Sequence, residues 1–242
     1  KWFFLPGIPT VKRDKQSYLL STLDNLITNM DDDEANDTLI VVFIGETDLE
    51  YVTEIAKQIQ SRFPEYIDNG LIEVISPPAS YYPDWNKLRV TLNDPVERVK
   101  WRSKQNLDFS FLMAYSQIKA TFYVQLEDDI LAKRGYITIM KRFAVAKTAK
   151  QDQDPWFVLD FCQLGFIGEF YEPILQLFNT LYIFCESYGS CMLKLKHTHS
   201  QPLVMFTCPV EFIIHSPSGY LFLFFLNFTL LCEYLTALET WV

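Results

Sequence analysis

The chain has 242 residues, of which 49% are hydrophobic and 16% aromatic, and 30 acidic against 21 basic residues give a formal charge of −9. That length allows one large domain or two small ones, with a substantial core. The acidic surplus argues against a nucleic-acid backbone as partner, because phosphates need compensating Lys and Arg. It suits a protein that recruits a cation to meet an anionic substrate.

The first 160 residues alternate helical and strand patterns. Lys1–Thr10 reads as a stub of a first strand running into a loop at Pro6–Lys12, with no secretory signal pattern and no anchor, as though a longer natural N-terminus preceded it. Residues 14–30 set Leu19, Leu23, Leu26, Ile27 and Met30 on one helical face. An acidic loop, Asp31–Glu34, leads to the apolar run Leu39–Ile44, a strand buried on both faces. Thr47–Glu50 has capping-box spacing and opens a helix with Val52, Ile55, Ala56 and Ile59 inward.

Leu71–Ile75 is the next strand, followed by the Pro-rich loop 76–84. Asp94–Glu97 starts a helix, with Pro95 at its first position and Leu107, Phe111, Ala114, Tyr115 and Ile118 on one face. Residues 121–126 form a strand, 136–148 a helix and Trp156–Phe161 a last strand. Such alternation implies right-handed crossovers, a mainly parallel sheet and helices on both faces. Ligands of such sheets sit outside the carboxyl ends of the strands. The candidate loops are therefore Gly45–Asp48, Ser76–Asp84, the acid triplet Glu127–Asp129 and Cys162–Gly168.

The triplet carries the most chemistry. The strand Phe122–Leu126 runs straight into Glu127, Asp128 and Asp129, and no nearby cation follows before Lys133 and Arg134. Three adjacent carboxylates at a strand end either hold a hard divalent cation through oxygen or make a solvated acidic turn.

Long segments in order resemble the N-acetylglucosaminyltransferase IV family, the alpha-1,3-mannosyl-glycoprotein 4-beta-N-acetylglucosaminyltransferases. They are Gly7–Arg13, Val41–Asp48, Gly70–Pro78, Tyr81–Asp84, Glu97–Asp108, Tyr123–Ile130 and Gln163–Gly168. The resemblance implies an A-type glycosyltransferase fold, a Rossmann-like and mainly parallel sheet covered by helices, incomplete on the acceptor side. It implies transfer of N-acetylglucosamine from UDP-N-acetylglucosamine to a mannose of N-glycans on glycoproteins as a beta-1,4 branch. It further implies a location in the Golgi lumen, with membrane association through an anchor absent from this chain. An inactive truncated relative that binds donor nucleotide or partners with the full-length enzyme is the alternative.

On this reading a divalent metal, Mn2+ being the expected ion, sits at Asp129 with Asp128, and Glu127 and Asp128 face the donor. Pro9, Thr10, Lys12, Arg13, Glu46 and Asp48 follow the first two strands where uracil and ribose could dock. Arg98, Arg102 and Lys104 are candidate diphosphate contacts; a solvated helix face is the plain alternative. An inverting transferase needs a carboxylate base; the resemblance places it in the family motifs downstream of Gly168, from which this chain departs, and Asp160, where the family usually has Glu, is the remaining alternative beside a purely structural role. Asn36-Asp-Thr38 is a glycosylation sequon in a polar loop.

The chain then divides into a donor-binding glycosyltransferase domain at 7–168 and a divergent hydrophobic tail at 169–242. Residues 171–242 hold seven of the 51 charged residues, none of them Asp or Arg, together with four of the five cysteines and all three histidines. An odd cysteine count gives no tidy disulfide framework, and no Cys/His spacing suits zinc. Gly219–Leu238 has the length of a membrane span, yet contains Asn227 and Glu233 and lacks basic flanks. Translation of a pyrimidine-rich non-coding tract accounts for the same composition.

Overall fold

The computed structural model describes residues 2–90, 93–149, 156–161, 169–171 and 204–207. Among the described residues seven strands form one sheet: β1 (Trp2–Thr10), β2 (Ile40–Ile44), β3 (Ile72–Ile75), β4 (Ala120–Gln125), β5 (Trp156–Asp160), β6 (Glu169–Tyr171) and β7 (Val204–Thr207). Their order is β3-β2-β1-β4-β6-β5-β7. The first four run parallel; β6 is antiparallel to both β4 and β5, and β7 is parallel to β5.

Six helices accompany the sheet among the described residues: α1 (Leu19–Thr28), α2 (Asp32–Asn36), α3 (Leu49–Arg62), α4 (Pro64–Asp68), α5 (Val96–Ser116) and α6 (Tyr136–Thr148). Strand alternation divides the core between two faces. Phe4, Ile8, Ile40, Val42, Phe122 and Val124 meet α1, α3 and α6 in one cluster. Leu5, Val41, Phe43 and Tyr123 meet Phe109, Leu112 and Met113 of α5 in the other. The result is the three-layer α/β arrangement expected. No described helix is long and apolar enough to cross a membrane, and the apolar stretch Gly219–Leu238 lies outside the described residues.

Several local readings change. Residues 6–10 are strand, not loop: β1 is nine residues long and central, with Pro6 paired to Val124 and Pro9 to Phe43. The prolines and Gly7 hide it from propensity, but burial between two parallel neighbours overrides the local preference. Gly7 is needed there, since a Cβ would stand 2.6 Å from Tyr123 Cε2 and 2.9 Å from Leu112 Cδ2.

The acidic loop at Asp31–Glu34 is the start of α2, where Asp31 and Glu34 form a reciprocal capping box. Helix α1 begins only at Leu19, after the extended stretch that carries Lys12 and Arg13 toward the site. The cap of α3 is Asp48 rather than Thr47, and Pro95 is the N-cap of α5 rather than its first residue. The inward face of α5 is also rotated from the expected one. Leu112, Met113 and Ser116 are buried, whereas Ile118 lies past the helix end and is 81% exposed.

Candidate active site

The site gathers at the carboxyl ends of adjacent strands β1 and β4. Leu126 donates its N–H to the Gly7 carbonyl at 2.9 Å, which holds the two strand ends in step. The apolar run of β4 then gives out, and the next three residues are the acid triplet. Asp128 is 3% exposed. Thr10 Oγ1 donates to Asp128 Oδ2 at 2.6 Å, and the Arg13 guanidinium donates to Oδ1. Thr22 Oγ1, on α1, donates to the Asp128 carbonyl at 2.9 Å, so three segments fix this residue. Arg13 also approaches Asp129, NH1 to Oδ2, at 3.6 Å.

The flanking sequence offers the triplet no nearby cation before Lys133, and the fold supplies one from elsewhere. It is Arg13, just past the end of the neighbouring strand β1 and 115 residues earlier in the chain. It does not balance three acids. Burial, then Asp129 and Asp128, push the Glu127 carboxyl up to about 7, against the opposing pull of Arg13. Burial and Asp129 likewise raise Asp128 from its ordinary value, while Thr10 and Arg13 draw it back. Arg13 itself is raised: burial opposes its charge, but Asp128 and Asp129 prevail.

This donor set fits a hard divalent cation. It is made of carboxylate oxygen alone and carries surplus negative charge in a half-buried place. The capacity is unequal, because each oxygen of Asp128 already accepts one hydrogen bond, from Thr10 or from Arg13. Glu127 has no hydrogen-bond donor among the described residues, and Asp129 meets only the long Arg13 contact. No group of three or more His, Cys, Asp or Glu poised to hold a metal by itself occurs among the described residues. A cation there would need oxygens from a ligand or water.

The other candidates separate into groups. Glu46 accepts the Lys12 N–H at 3.0 Å, joining the segments that follow β1 and β2. The Lys12 ammonium lies 5.3 Å from the centre of the Tyr51 ring, and Pro9 is a strand residue of β1. Asp48 caps α3, accepting from Glu50 N at 3.1 Å and Tyr51 N at 3.5 Å. Arg98 and Arg102 both pair with Asp94 at the start of α5.

Lys104 donates to the Gly45 carbonyl and to Asp108 Oδ2, each at 2.6 Å. Asp160 ends β5, in register with Glu169 and Thr207. Asn36 is exposed at the end of α2. Asp108 escaped the sequence reading as a site residue. Its signal was an acid four residues after a lysine, next to Leu107 on a helix face otherwise apolar or small.

The family model described as MGAT4 conserved region matches residues 1–199. The chain belongs to that family. The family's A-type glycosyltransferase fold accords with the parallel order of β1 to β4 and the helices on both faces. Over 166 residues the chain is 51% identical to alpha-1,3-mannosyl-glycoprotein 4-beta-N-acetylglucosaminyltransferase A of Xenopus tropicalis, covering 69% of this chain and 30% of that protein. The enzyme A of Bos taurus is 50% identical over 172 residues, 71% of this chain and 31% of that one. The enzyme B of Homo sapiens is 48% identical over 168 residues, 69% and 30%.

This MGAT4-family chain thus spans about a third of the length of the curated relatives it matches. Among solved structures, S. aureus TarS 1-349 in complex with UDP-GlcNAc matches with a TM-score of 0.32 at 16% identity, over 66% of this chain and 34% of that one. A likeness of that size carries no argument about the site.

Proposed function

We propose that this chain forms the donor-binding part of an N-acetylglucosaminyltransferase, which moves N-acetylglucosamine from UDP-N-acetylglucosamine to a mannose of an N-glycan as a beta-1,4 branch. The observation that carries this reading is the buried, under-compensated carboxylate cluster at the ends of β1 and β4, in a chain about 50% identical to such enzymes. Ligands of open parallel sheets dock at that edge.

Asp129 and Glu127 would hold a divalent cation, Mn2+ for preference, with donor and water oxygens completing its shell. When bound, that ion supplies positive charge against the diphosphate. The protein's own residues have separate tasks. Arg13 and Thr10 fix Asp128, and Arg13 adds a fixed guanidinium that complements phosphate oxygen. Glu46 and the Lys12 backbone frame the place for uracil and ribose. Asp160, at the end of β5, is the base candidate among the described residues; it would take the proton from the attacking mannose hydroxyl. The exposed Asn36 side chain, which opens a sequon, suits a lumenal, Golgi-resident glycoprotein.

The test is ligand-induced stabilisation. UDP with Mn2+, each well above its dissociation constant, should raise the melting temperature of the wild-type chain, in proportion to the logarithm of ligand concentration. Asp129→Ala should abolish that rise. A rise that survives in the variant removes the metal assignment, and no rise in wild type removes the donor assignment.

A further inference from the structure

Three segments meet at Asp108. Lys104, one helical turn earlier on α5, donates from Nζ to Asp108 Oδ2 at 2.6 Å and to the Gly45 carbonyl at 2.6 Å. Tyr82, in the Pro-rich loop after β3, donates its hydroxyl to Asp108 Oδ1 at 2.5 Å. The Lys104 ammonium also lies 5.2 Å from the centre of the Tyr82 ring. One carboxylate therefore ties α5, the turn after β2 and the loop after β3 together.

Gly45 is part of the joint, because a Cβ there would stand 2.7 Å from Asp108 Oδ2 and 3.1 Å from Lys104 Nζ. Next to it, Glu46 receives the Lys12 N–H at 3.0 Å, so the tie extends to the segment that carries Arg13. Lys104 thus spends two of its three donors on protein. That argues against the direct diphosphate contact expected from sequence.

Buried ion pairs are poor sources of stability, because desolvation offsets their attraction. Here burial outweighs Lys104 and the Tyr82 hydrogen bond, and Asp108 is held up at about 6, with Glu46 adding to the rise. A carboxylate kept in surroundings that oppose its charge is best accounted for by what it holds in place.

We propose that Lys104 and Asp108 are positioning residues: they lock Gly45 and Tyr82, and through Gly45 the adjacent Glu46, in the geometry that receives the nucleoside end of a uridine diphosphate ligand without touching it. The ligand named here rests on the donor reading above; the lock itself does not.

The experiment combines calorimetric titration of UDP in the presence of Mn2+ with hydrogen exchange at the Gly45 and Glu46 amides. Both are applied at pH 7.5 to wild type, Asp108→Asn, Lys104→Met and Tyr82→Phe. Those amides bond to the Thr10 and Ile44 carbonyls at 2.8 Å and report directly on the turn. Asp108→Asn and Lys104→Met should weaken UDP binding about tenfold, the effect of losing one charge-assisted hydrogen bond, and speed exchange at both amides. Asp108→Asn should melt no lower than wild type, which a merely structural residue would not permit.

Tyr82→Phe removes one oxygen and keeps the ion pair, so it serves even if Lys104→Met fails to fold; about threefold weaker binding is expected. Unchanged exchange in Asp108→Asn overturns the lock. Faster exchange with full UDP affinity overturns its role in positioning the ligand. If wild type binds no UDP, the donor reading fails and the nucleoside role with it, while the exchange measurement still judges the lock.

Discussion

Two carboxylate clusters of this sheet meet a cation, and they differ in balance. On the outer strand β3, Glu73 takes Lys119 at 2.8 and 2.9 Å and the Tyr115 hydroxyl at 2.5 Å. One acid meets one base, at 33% and 28% exposure, and water reaches both. At the end of β4, three acids share Arg13, and Asp128 is nearly sealed. The balanced cluster needs nothing further. The unbalanced one stays intact at a cost in electrostatic free energy that a cationic ligand would relieve.

Removing the base from each cluster probes this difference most sharply. Arg13→Ala should cost about 3 kcal/mol in urea denaturation, because it strands the buried Asp128. A loss well under 1 kcal/mol would mean that Asp128 is already solvated or neutral. Asp108 lies between the two cases, with one acid and one base but deep burial. Its folded-state value of about 6 lies above the ordinary 3.8, so protonation favours the fold. That contribution is complete below about 3.8 and lost as pH rises through about 6. Wild type should therefore lose a few degrees of melting temperature relative to Asp108→Asn between pH 5 and pH 7. A constant difference across that window would place Asp108 with the solvated Glu73. Lys119→Met should matter least, at about 0.5 kcal/mol, the usual worth of an exposed pair. A cost as large as that of Arg13→Ala would erase the contrast.

The parts of the fold legible in sequence are those whose signal is local. The continuous apolar run Ile40–Ile44 fixed β2, and the Leu19, Leu23 and Leu26 spacing fixed the buried face of α1. Only the opening stub of β1 was legible, because Pro6, Gly7 and Pro9 each speak against a strand interior and only burial on both sides overrules them. The acid triplet could be named from three adjacent letters. Its partner Arg13 could not be paired with it, because the contact depends on β1 and β4 being neighbours rather than on any spacing. Asp108 was hidden for a related reason: it looks like a helix-surface acid until the Gly45 turn closes over it.

The Arg13–Asp128 pairing across 115 residues also bears on how the chain folds. Helices α1, α3 and α5 can form early from neighbouring residues, but the β1–β4 ladder must close a loop of more than 100 residues first. Such non-local pairing is slow to form. Until that ladder closes, Thr10 and Arg13 cannot reach the acid triplet, so the candidate site depends on the slowest kind of contact in the fold. A ligand that recognises the closed cluster would bind only chains that had completed the central ladder, and so would count finished molecules during refolding.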